Sequence, residues 1–566
     1  MKTRTCFAFI ALLAAGACLA PVALPAEPAS ASPPVDGIFK AYDSRQAPGC
    51  ALGVIRDGEF VYRRGYGMAN LEHGIPLTPQ SVLRIGSTSK QFTAAAVALL
   101  ADAGVIGLDD PVRRYFPDFP EWAEATTVRH LLHHSSGIRD YLQLAFLAGK
   151  GGDADHYTDD WVLQLLARQR ETNFPPGEQH LYSNSGYLLM AHLVQRASGQ
   201  SLRDYAAEHI FEPLGMNRSH FHDDHTEIVP GRATGYAPVG DGFRISMTTL
   251  DMVGDGGVFT TIDELLLWDR NFYDNRLGGG PALIERLTTP GSLNNGETLD
   301  YAFGLGVENY RGLRMISHAG AFVGYRAEMI RFPEQRFSVA VLCNRADAAP
   351  DRLARAVAQH YLADVLDPEP ASESGSESGE PTAPALSENE LRRYAGDFWE
   401  DSEGFAAEAR VEDGKLWAVH SPTRRNELRP LGPDLFRMVG VPAEVLVRFE
   451  RDGDRVTGMR RIVNGKPRGV FRAFARRQAS PAELAIYAGA YFSEELDVSY
   501  SVRHEGDRLL FRVPNQAEEE LTAMFGETFE NPDYGAFEFQ RDADGRVTGF
   551  RLQSGRVRNL AFERRD

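Results

Sequence analysis

Ser87 and Lys90 stand three residues apart in the segment Ser87-Thr88-Ser89-Lys90. Residues at positions i and i+3 of a helix share one face, so the Lys90 amine would reach the Ser87 hydroxyl. A serine hydroxyl is a weak nucleophile and needs an adjacent base, which a lysine becomes when burial or neighbouring charge lowers its pKa. The spacing therefore predicts an activated serine at the start of a helix.

Lysine is scarce in this chain, which makes Lys90 informative. Only six of the 60 basic residues are lysines, and only Lys90 and Lys150 occur between positions 45 and 365. Arginine does not lose its proton in a protein and cannot act as a base. A lysine three residues after a serine is thus a candidate base, although the spacing alone leaves an exposed first-turn lysine as the alternative.

Two further triplets carry side chains suited to acyl transfer. In Tyr182-Ser183-Asn184, before a predicted helix, the phenol could move a proton, and the Asn184 amide could bind both a substrate carbonyl and Lys90. In His318-Ala319-Gly320, which follows a predicted strand, small residues would let a substrate backbone lie against the strand edge. Each triplet alone is compatible with an ordinary turn.

Taken in order, these motifs resemble the penicillin-recognising serine hydrolases, which include class C β-lactamases, DD-carboxypeptidases, D-aminopeptidases and related esterases. That family has a Ser-x-x-Lys, a Tyr-x-Asn, and a Lys- or His-x-Gly on a strand edge. Three neighbouring segments also look like this family: Leu131 to Gly137, Glu212 to Met216 and Gly256 to Thr261. The resemblance spans about residues 36 to 365.

The resemblance implies a set of catalytic residues and a set of substrate-binding residues. The catalytic residues are Ser87, Lys90, Tyr182 and His318, and the substrate-binding residues are Asn184, Gly320 and Ala321. Ser87 would be acylated, with Lys90 and Tyr182 as the acid/base pair. The backbone N–H groups of Ser87 and Ala321 would form the oxyanion hole. Water would then release the acyl group, and neither a cofactor nor a metal is expected.

His318 indicates which substrates to expect. Class C β-lactamases have a lysine at this position, where its fixed cation helps to hold the carboxylate of the antibiotic, and a neutral histidine holds it less well. We therefore expect hydrolysis of D-amino-acid peptides or amides, of the D-aminopeptidase or DD-carboxypeptidase type, or of small esters. A β-lactamase and a non-catalytic penicillin-binding sensor are the alternatives.

The elements that must position these residues indicate an α+β domain. Residues 50 to 63 alternate around Asp57-Gly58 and predict a β-hairpin, and Ser87 to Ala103 predicts a buried helix. Strands return at 314–317, 325–332 and 337–343. The resemblance implies the serine β-lactamase-like transpeptidase fold, an antiparallel sheet covered by helices, with the first strand beside the last. Cys50 and Cys343 could then form a disulfide, although two buried free cysteines are the alternative.

The C-terminal third predicts two β-barrels after a linker. Residues 366–387 are rich in Ser, Glu and Pro and predict a disordered linker. Tyr-Ala-Gly at 394 recurs at 487, which indicates an internal duplication over residues 388–477 and 480–566. Both copies predict small antiparallel barrels that resemble the lipocalin-like barrels of D-aminopeptidases. By that resemblance, the segment 524–537 is a candidate to reach the active site.

The N-terminal segment and the net charge indicate where the protein acts and which partners are excluded. Residues 1–31 carry Lys2, Arg4 and a short apolar run, which predicts a cleaved signal peptide and a periplasmic or secreted protein. A net charge of -18 argues against nucleic-acid partners, and no later segment predicts a membrane span. The histidines between 220 and 225 predict an exposed loop rather than a metal site, and the sequence leaves oligomeric assembly open.

Overall fold

The structure, a computed structural model, describes residues 33–151, 156–368, 386–401, 404–421, 424–441, 444–463 and 465–565. The predicted signal peptide and residues 369–385 of the predicted linker lie outside these ranges. Among the described residues, no helix combines the length and the apolar character needed to cross a bilayer.

A six-stranded antiparallel sheet forms the centre of the N-terminal domain. Its strands, in spatial order, are Gly306–Tyr310, Leu313–Phe322, Tyr325–Phe332, Phe337–Cys343, Cys50–Arg56 and Glu59–Tyr66. The first strand of the chain thus pairs with the last strand of the sheet, as expected. The predicted hairpin turns at Asp57 and Gly58, which both have positive φ, as a type I′ turn requires.

Helices cover both faces of this sheet and build the rest of the domain. The longer ones are Lys90–Asp102, Tyr141–Leu147, Asp159–Ala167, Asn184–Ser198, Ile262–Asn271, Gly280–Thr288 and Pro350–Tyr361. The Lys90–Asp102 helix is almost entirely buried, because its Ala, Val and Leu residues face neighbours on every side. It packs against the Asn184–Ser198 helix, so two of the predicted motifs begin on adjacent helices.

Cys50 and Cys343 are directly opposite each other in the register of the paired strands, and a disulfide joins them. Of the two alternatives that the sequence left open, the structure therefore has the bridge. It closes a loop of 293 residues that contains every predicted site residue.

Two closed eight-stranded antiparallel barrels follow, which confirms the predicted architecture. The strands of the first barrel are Gly396–Glu400, Phe405–Glu412, Lys415–Ser421, Arg424–Gly432, Leu435–Met438, Val445–Asp452, Arg455–Val463 and Lys466–Phe474. The strands of the second barrel are Gly489–Ser493, Val498–Glu505, Arg508–Arg512, Glu518–Ala523, Thr528–Asn531, Gly535–Arg541, Val547–Ser554 and Val557–Arg565.

The two barrels relate differently to the N-terminal domain. The apolar interior of the first barrel is a separate cluster. The interior of the second barrel belongs to the same cluster as the helices around the Lys90–Asp102 helix. Phe146 stacks on Tyr534 with ring centroids 4.8 Å apart, and Tyr500 donates a hydrogen bond to the Leu147 carbonyl. The second barrel is therefore packed onto the catalytic helices.

Candidate active site

Ser87 lies in a 3-10 turn, Gly86–Ser89, that leads directly into the Lys90–Asp102 helix. The Lys90 Nζ atom is 3.1 Å from the Ser87 Oγ atom, so the pair meets as the spacing predicted. The predicted helix starts three residues too early, because the first turn is tighter than an α-helix. This tight turn places Ser87 at the floor of a cavity.

Lys90 is fully buried, and three oxygen atoms surround its amine. Besides Ser87, the amine donates to Asn184 Oδ1 at 2.9 Å and to the Asp255 carbonyl at 2.6 Å. Both of these oxygens can only accept. A neutral amine has two N–H groups, which these two oxygens satisfy, and its lone pair then faces the Ser87 hydroxyl. The geometry therefore suits a base that removes the Ser87 proton.

Asn184 begins the Asn184–Ser198 helix, and its orientation is fixed by Asp140. The Asp140 Oδ2 atom accepts from the Asn184 backbone N–H at 2.8 Å and from the Asn184 Nδ2 atom at 2.9 Å. Because the amide group is held from its nitrogen side, its oxygen points at Lys90. Asp140 thus orients Asn184, which in turn orients Lys90. Sequence reasoning did not identify this role of Asp140.

Tyr182 stands over Lys90, with the lysine Nζ atom 4.9 Å from the centre of its ring. The ring packs against the buried His134 ring at a centroid distance of 4.1 Å, and His134 Nδ1 accepts from the Ser183 backbone N–H. The Tyr182 hydroxyl is buried and has no hydrogen-bond partner among the described residues. Its donor is therefore available to a bound substrate.

His318 is held neutral and in one tautomer. Burial lowers the pKa of His318 to about 3. Its Nδ1 atom lies 2.6 Å from the Ala319 carbonyl, which can only accept, so Nδ1 carries the proton. Its Nε2 atom then accepts from the Tyr301 hydroxyl at 2.9 Å. His318 therefore presents no positive charge to the cavity, as expected from its histidine rather than lysine identity.

The predicted strand before His318 is longer than the sequence indicated. It runs from Leu313 to Phe322 and includes His318, Gly320 and Ala321, because pairing with Tyr325–Phe332 continues to Phe322. The neighbour on its other side, Gly306–Tyr310, pairs only as far as Ser317. Among the described residues, 318–322 therefore have one open edge, to which an extended substrate could add as a strand.

Two glycines bring the Ser87 turn against this strand. A Cβ atom on Gly86, which has φ +51°, would lie 2.8 Å from the Ala321 backbone nitrogen. A Cβ atom on Gly320 would lie 1.9 Å from the Ile85 carbonyl oxygen. Only glycine allows this approach. It places Ser87 and Ala321 on facing segments, which is the arrangement that an oxyanion hole needs.

A residue of the second barrel, Arg556, enters the same cavity. It lies in the two-residue hairpin between Val547–Ser554 and Val557–Arg565. Its guanidinium carbon is 5.0 Å from the centre of the Tyr182 ring, and its Nη1 atom is 3.1 Å from Asp140 Oδ2. Ser87, Tyr182, Asn184, His318 and Arg556 all line one cavity of about 570 Å³. This volume is within the range of small-molecule sites.

The prediction that segment 524–537 reaches the active site is wrong. Tyr534 packs on Phe146 outside the cavity, and Met524 lies against Trp399 of the first barrel. Instead, the hairpin that carries Arg556 is the barrel segment that reaches the active-site cavity. No local pattern marks Arg556 as a site residue, because it is one of 54 arginines and its neighbours form an ordinary turn.

The prediction of an exposed loop at the histidines between 220 and 225 is also wrong in part. His222 is buried, and ligand atoms of His220, His222 and Glu227 lie within 4.8 Å of one another. Arg203 donates to both carboxylate oxygens of Glu227, so this carboxylate is already in an ion pair. The cluster is built as an ion-pair network around Arg203.

The Beta-lactamase family matches residues 35–364 of the chain, and a domain of unknown function, DUF3471, matches residues 475–564. The first match spans the sheet and helices that hold the Ser87 site. The second covers the barrel that carries Arg556.

Relatives in the curated proteins and solved structures agree with these matches. A D-aminopeptidase of Gluconobacter oxydans is 29% identical over 80% of this chain and 80% of its own. Penicillin-binding protein 4* of Bacillus subtilis is 30% identical over 69% of this chain and 87% of its own. An octameric penicillin-binding protein homologue from Pyrococcus abyssi superposes with a TM-score of 0.54 at 26% identity, covering 77% of this chain and 98% of its own.

Proposed function

Since the chain belongs to the Beta-lactamase family and is a serine hydrolase, we propose that it hydrolyses peptides or amides that contain D-amino acids, or small esters, through an acyl-enzyme on Ser87. The observation that carries this proposal is the contact of 3.1 Å between Lys90 Nζ and Ser87 Oγ, made by a fully buried lysine.

In the first step, the Ser87 oxygen attacks the substrate carbonyl carbon while its proton passes to the Lys90 amine. The negative charge that develops on the carbonyl oxygen is stabilised by the backbone N–H groups of Ser87 and Ala321. The Tyr182 hydroxyl donates a proton to the leaving amine or alcohol as the carbon–heteroatom bond breaks. Water then attacks the acyl-enzyme, and the proton movements reverse to release the acid and restore Ser87.

The neutral state of His318 favours substrates other than β-lactam antibiotics. A lysine at this position would offer a fixed cation on the strand edge, whereas His318 has both nitrogens engaged, with Ala319 and Tyr301. A D-aminopeptidase is among the relatives, and its name agrees with D-amino-acid substrates. These observations support a peptidase or amidase over a β-lactamase.

A substrate panel tests the proposal. Wild-type protein is assayed with D-alanyl-4-nitroanilide, its L-enantiomer, 4-nitrophenyl butyrate and a chromogenic cephalosporin. We expect turnover of the D-anilide or the ester, little turnover of the cephalosporin, and complete loss of activity in Ser87→Ala. Lys150→Ala removes the other lysine of this region and is the matched control for Lys90→Ala; it should retain activity.

Other outcomes of the panel would reject the proposal. Rapid cephalosporin hydrolysis would identify a β-lactamase. Stoichiometric labelling by a fluorescent penicillin without product release would identify a sensor. Full activity in Lys90→Ala would rule out the mechanism.

We further propose that the protein is exported, with residues 1–31 as its signal peptide. The disulfide between Cys50 and Cys343 supports this, because such bridges persist in oxidising compartments. Fractionation of cells and N-terminal sequencing of the mature protein test it, and an uncleaved cytoplasmic chain would contradict it.

The oligomeric state of the purified protein can be measured by light scattering. The octameric Pyrococcus homologue makes this measurement worthwhile.

A further inference from the structure

We propose that Arg556, carried by the second barrel, forms a carboxylate-binding subsite with the catalytic domain, so that the enzyme selects substrates with a free carboxylate. This inference rests on the proposed function and narrows its substrate class. The first observation is position: Arg556 lines the same cavity as Ser87, although 469 residues separate them in the sequence.

The guanidinium of Arg556 is fixed but remains open to the cavity. Its carbon lies 5.0 Å from the Tyr182 ring centre and its Nη1 atom 3.1 Å from Asp140 Oδ2. The side chain is nevertheless 44% exposed. Five N–H groups are available on a guanidinium, and the contact with Asp140 uses Nη1 alone, which leaves an edge for bidentate binding of a carboxylate.

Asp140 does not need Arg556 as a hydrogen-bond donor. Its side chain is only 2% exposed. Its Oδ1 atom accepts from the backbone N–H groups of Leu142 and Gln143, and its Oδ2 atom from the backbone and the amide of Asn184. Four N–H donors thus already stabilise the Asp140 carboxylate. Arg556 is therefore not required to satisfy this carboxylate, and its remaining N–H groups are free to bind a substrate.

The other charged side chains that line the cavity make it cationic. Two of them are arginines: Arg84 donates to the Gly256 carbonyl and interacts with the charge of Asp255, and Arg326 donates to two backbone carbonyls. Two are acids, Asp255 and Asp351. Burial raises the pKa of Asp255, which disfavours its charged form. A substrate carboxylate is favoured in such a cavity.

The substrate carboxylate can lie on either side of the bond that is cleaved, in the acyl group or in the leaving group. Matched substrates distinguish the two cases. On the acyl side, N-succinyl-D-alanyl-4-nitroanilide is compared with its neutral N-acetyl analogue and with D-alanyl-4-nitroanilide. On the leaving-group side, N-acetyl-D-Ala-D-Ala is compared with N-acetyl-D-Ala-D-alaninamide. The enzymes are wild type, Arg556→Ala and Arg556→Lys, with Arg546→Ala, an exposed arginine of the same barrel, as the control.

We expect wild type to prefer the carboxylate member of one pair. Arg556→Ala should lose about 10- to 100-fold of that preference, mainly through KM, because a charge-assisted hydrogen bond to the substrate is lost. Arg556→Lys should keep part of the preference, and Arg546→Ala should keep all of it. The pair that responds shows on which side the carboxylate binds.

Two results would overturn the inference. One is a wild-type enzyme without any carboxylate preference. The other is an Arg556→Ala variant that loses kcat equally on all substrates, since that would make Arg556 only a support for Asp140. Calorimetric binding of N-succinyl-D-alanine to Ser87→Ala, and its loss in Ser87→Ala/Arg556→Ala, tests the subsite without turnover. If wild type hydrolyses none of the substrates while this binding persists, the proposed function fails and the subsite stands.

Discussion

Arg139, beside the active site, and Glu495, in the second barrel, form a buried ion pair with a nitrogen–oxygen distance of 2.6 Å. Arg139 is fully buried and Glu495 is 5% exposed. The same guanidinium donates to the backbone carbonyls of Arg558 and Asn559. Because Asp140 is the next residue, the contact that holds the barrel adjoins the contact that orients Asn184.

Breaking this ion pair should destabilise the protein and impair catalysis together. In Glu495→Gln the Arg139 charge stays buried without its counter-ion, which costs about 3–5 kcal/mol in typical proteins. Thermal unfolding and kcat/KM are the measurements. The neighbouring exposed pair Arg170–Glu494 is the control, and Glu494→Gln should cost less than about 1 kcal/mol. A Glu495→Gln variant as stable and active as wild type would show that the barrel is only loosely attached.

Lys90→Arg should slow acylation strongly, because it places a permanent positive charge beside Ser87. Arginine stays protonated and cannot remove the Ser87 proton, so we expect a loss of about 10²- to 10⁴-fold in the acylation rate. The release of 4-nitrophenol in a single turnover, with intact-protein mass spectrometry, measures it. Lys150→Arg serves as the control. Rapid acylation of Lys90→Arg would mean that another group acts as the base.

Tyr182→Phe should lower activity without lowering stability. Its hydroxyl has no hydrogen-bond partner among the described residues, so its removal breaks no hydrogen bond with them and leaves the free energy of unfolding equal or higher. We expect kcat to fall by about 10²-fold or more, since the proton donor to the leaving group is lost. Paired measurements of kcat and of urea unfolding test this. Unchanged kcat would remove Tyr182 from the mechanism.

Glu328 should make the stability of the protein fall as the pH rises. Burial raises the pKa of Glu328 to about 8 from an ordinary 4.5, although Arg355 opposes this. The folded protein then binds more protons than the unfolded chain between these values, so stability decreases from about pH 4.5 to about pH 8. Each pKa unit is worth about 1.4 kcal/mol. The charges of the nearby acids Asp351 and Glu308 also raise the pKa of Glu328.

Glu328→Gln should therefore be more stable than wild type at pH 9 and similar at pH 4.5. Melting temperatures across this range give the comparison, and the exposed Glu334→Gln should follow the wild-type curve. Parallel curves for wild type and Glu328→Gln would contradict the raised pKa.

Reduction of the disulfide should lower the melting temperature. A bridge across 293 residues restricts the unfolded chain strongly, and removing such a bridge costs about 3–5 kcal/mol. Cys50→Ala/Cys343→Ala should melt lower than wild type and should not respond to dithiothreitol. Free thiols at Cys50 and Cys343 in the untreated wild-type protein, located by alkylation and peptide mass mapping, would disprove the bridge.

Local patterns allowed the sequence to predict much of this site. Ser87 and Lys90 lie three residues apart, and Tyr182 and Asn184 two apart, so one turn or one helix start brings each pair together. Alternation predicted individual strands and the recurrence of Tyr-Ala-Gly predicted the two barrels, whereas the order of strands in the sheet came from the family resemblance. All of these signals operate within about twenty residues or through exact repetition.

The remaining parts depend on contacts between distant segments, which no local pattern encodes. Asp140, Tyr301 and Arg556 become site residues only because the tertiary fold places them beside Asn184, His318 and Tyr182. The strand that carries His318 extends past its predicted end because its partner strand continues. His222 is buried for a similar reason, since it packs against Phe259.

The equivalent hairpins of the two barrels differ at the position of Arg556. In the second barrel, Ser554 pairs with Val557 across a turn that contains Arg556. In the first barrel, Val463 pairs with Lys466 across the equivalent turn, where Gly465 stands in the place of Arg556. After a duplication, one copy is released from selection on its original task. We therefore expect homologous chains that share a substrate preference to have an arginine at the position of Arg556. The residue at the position of Gly465 should vary freely among the same chains.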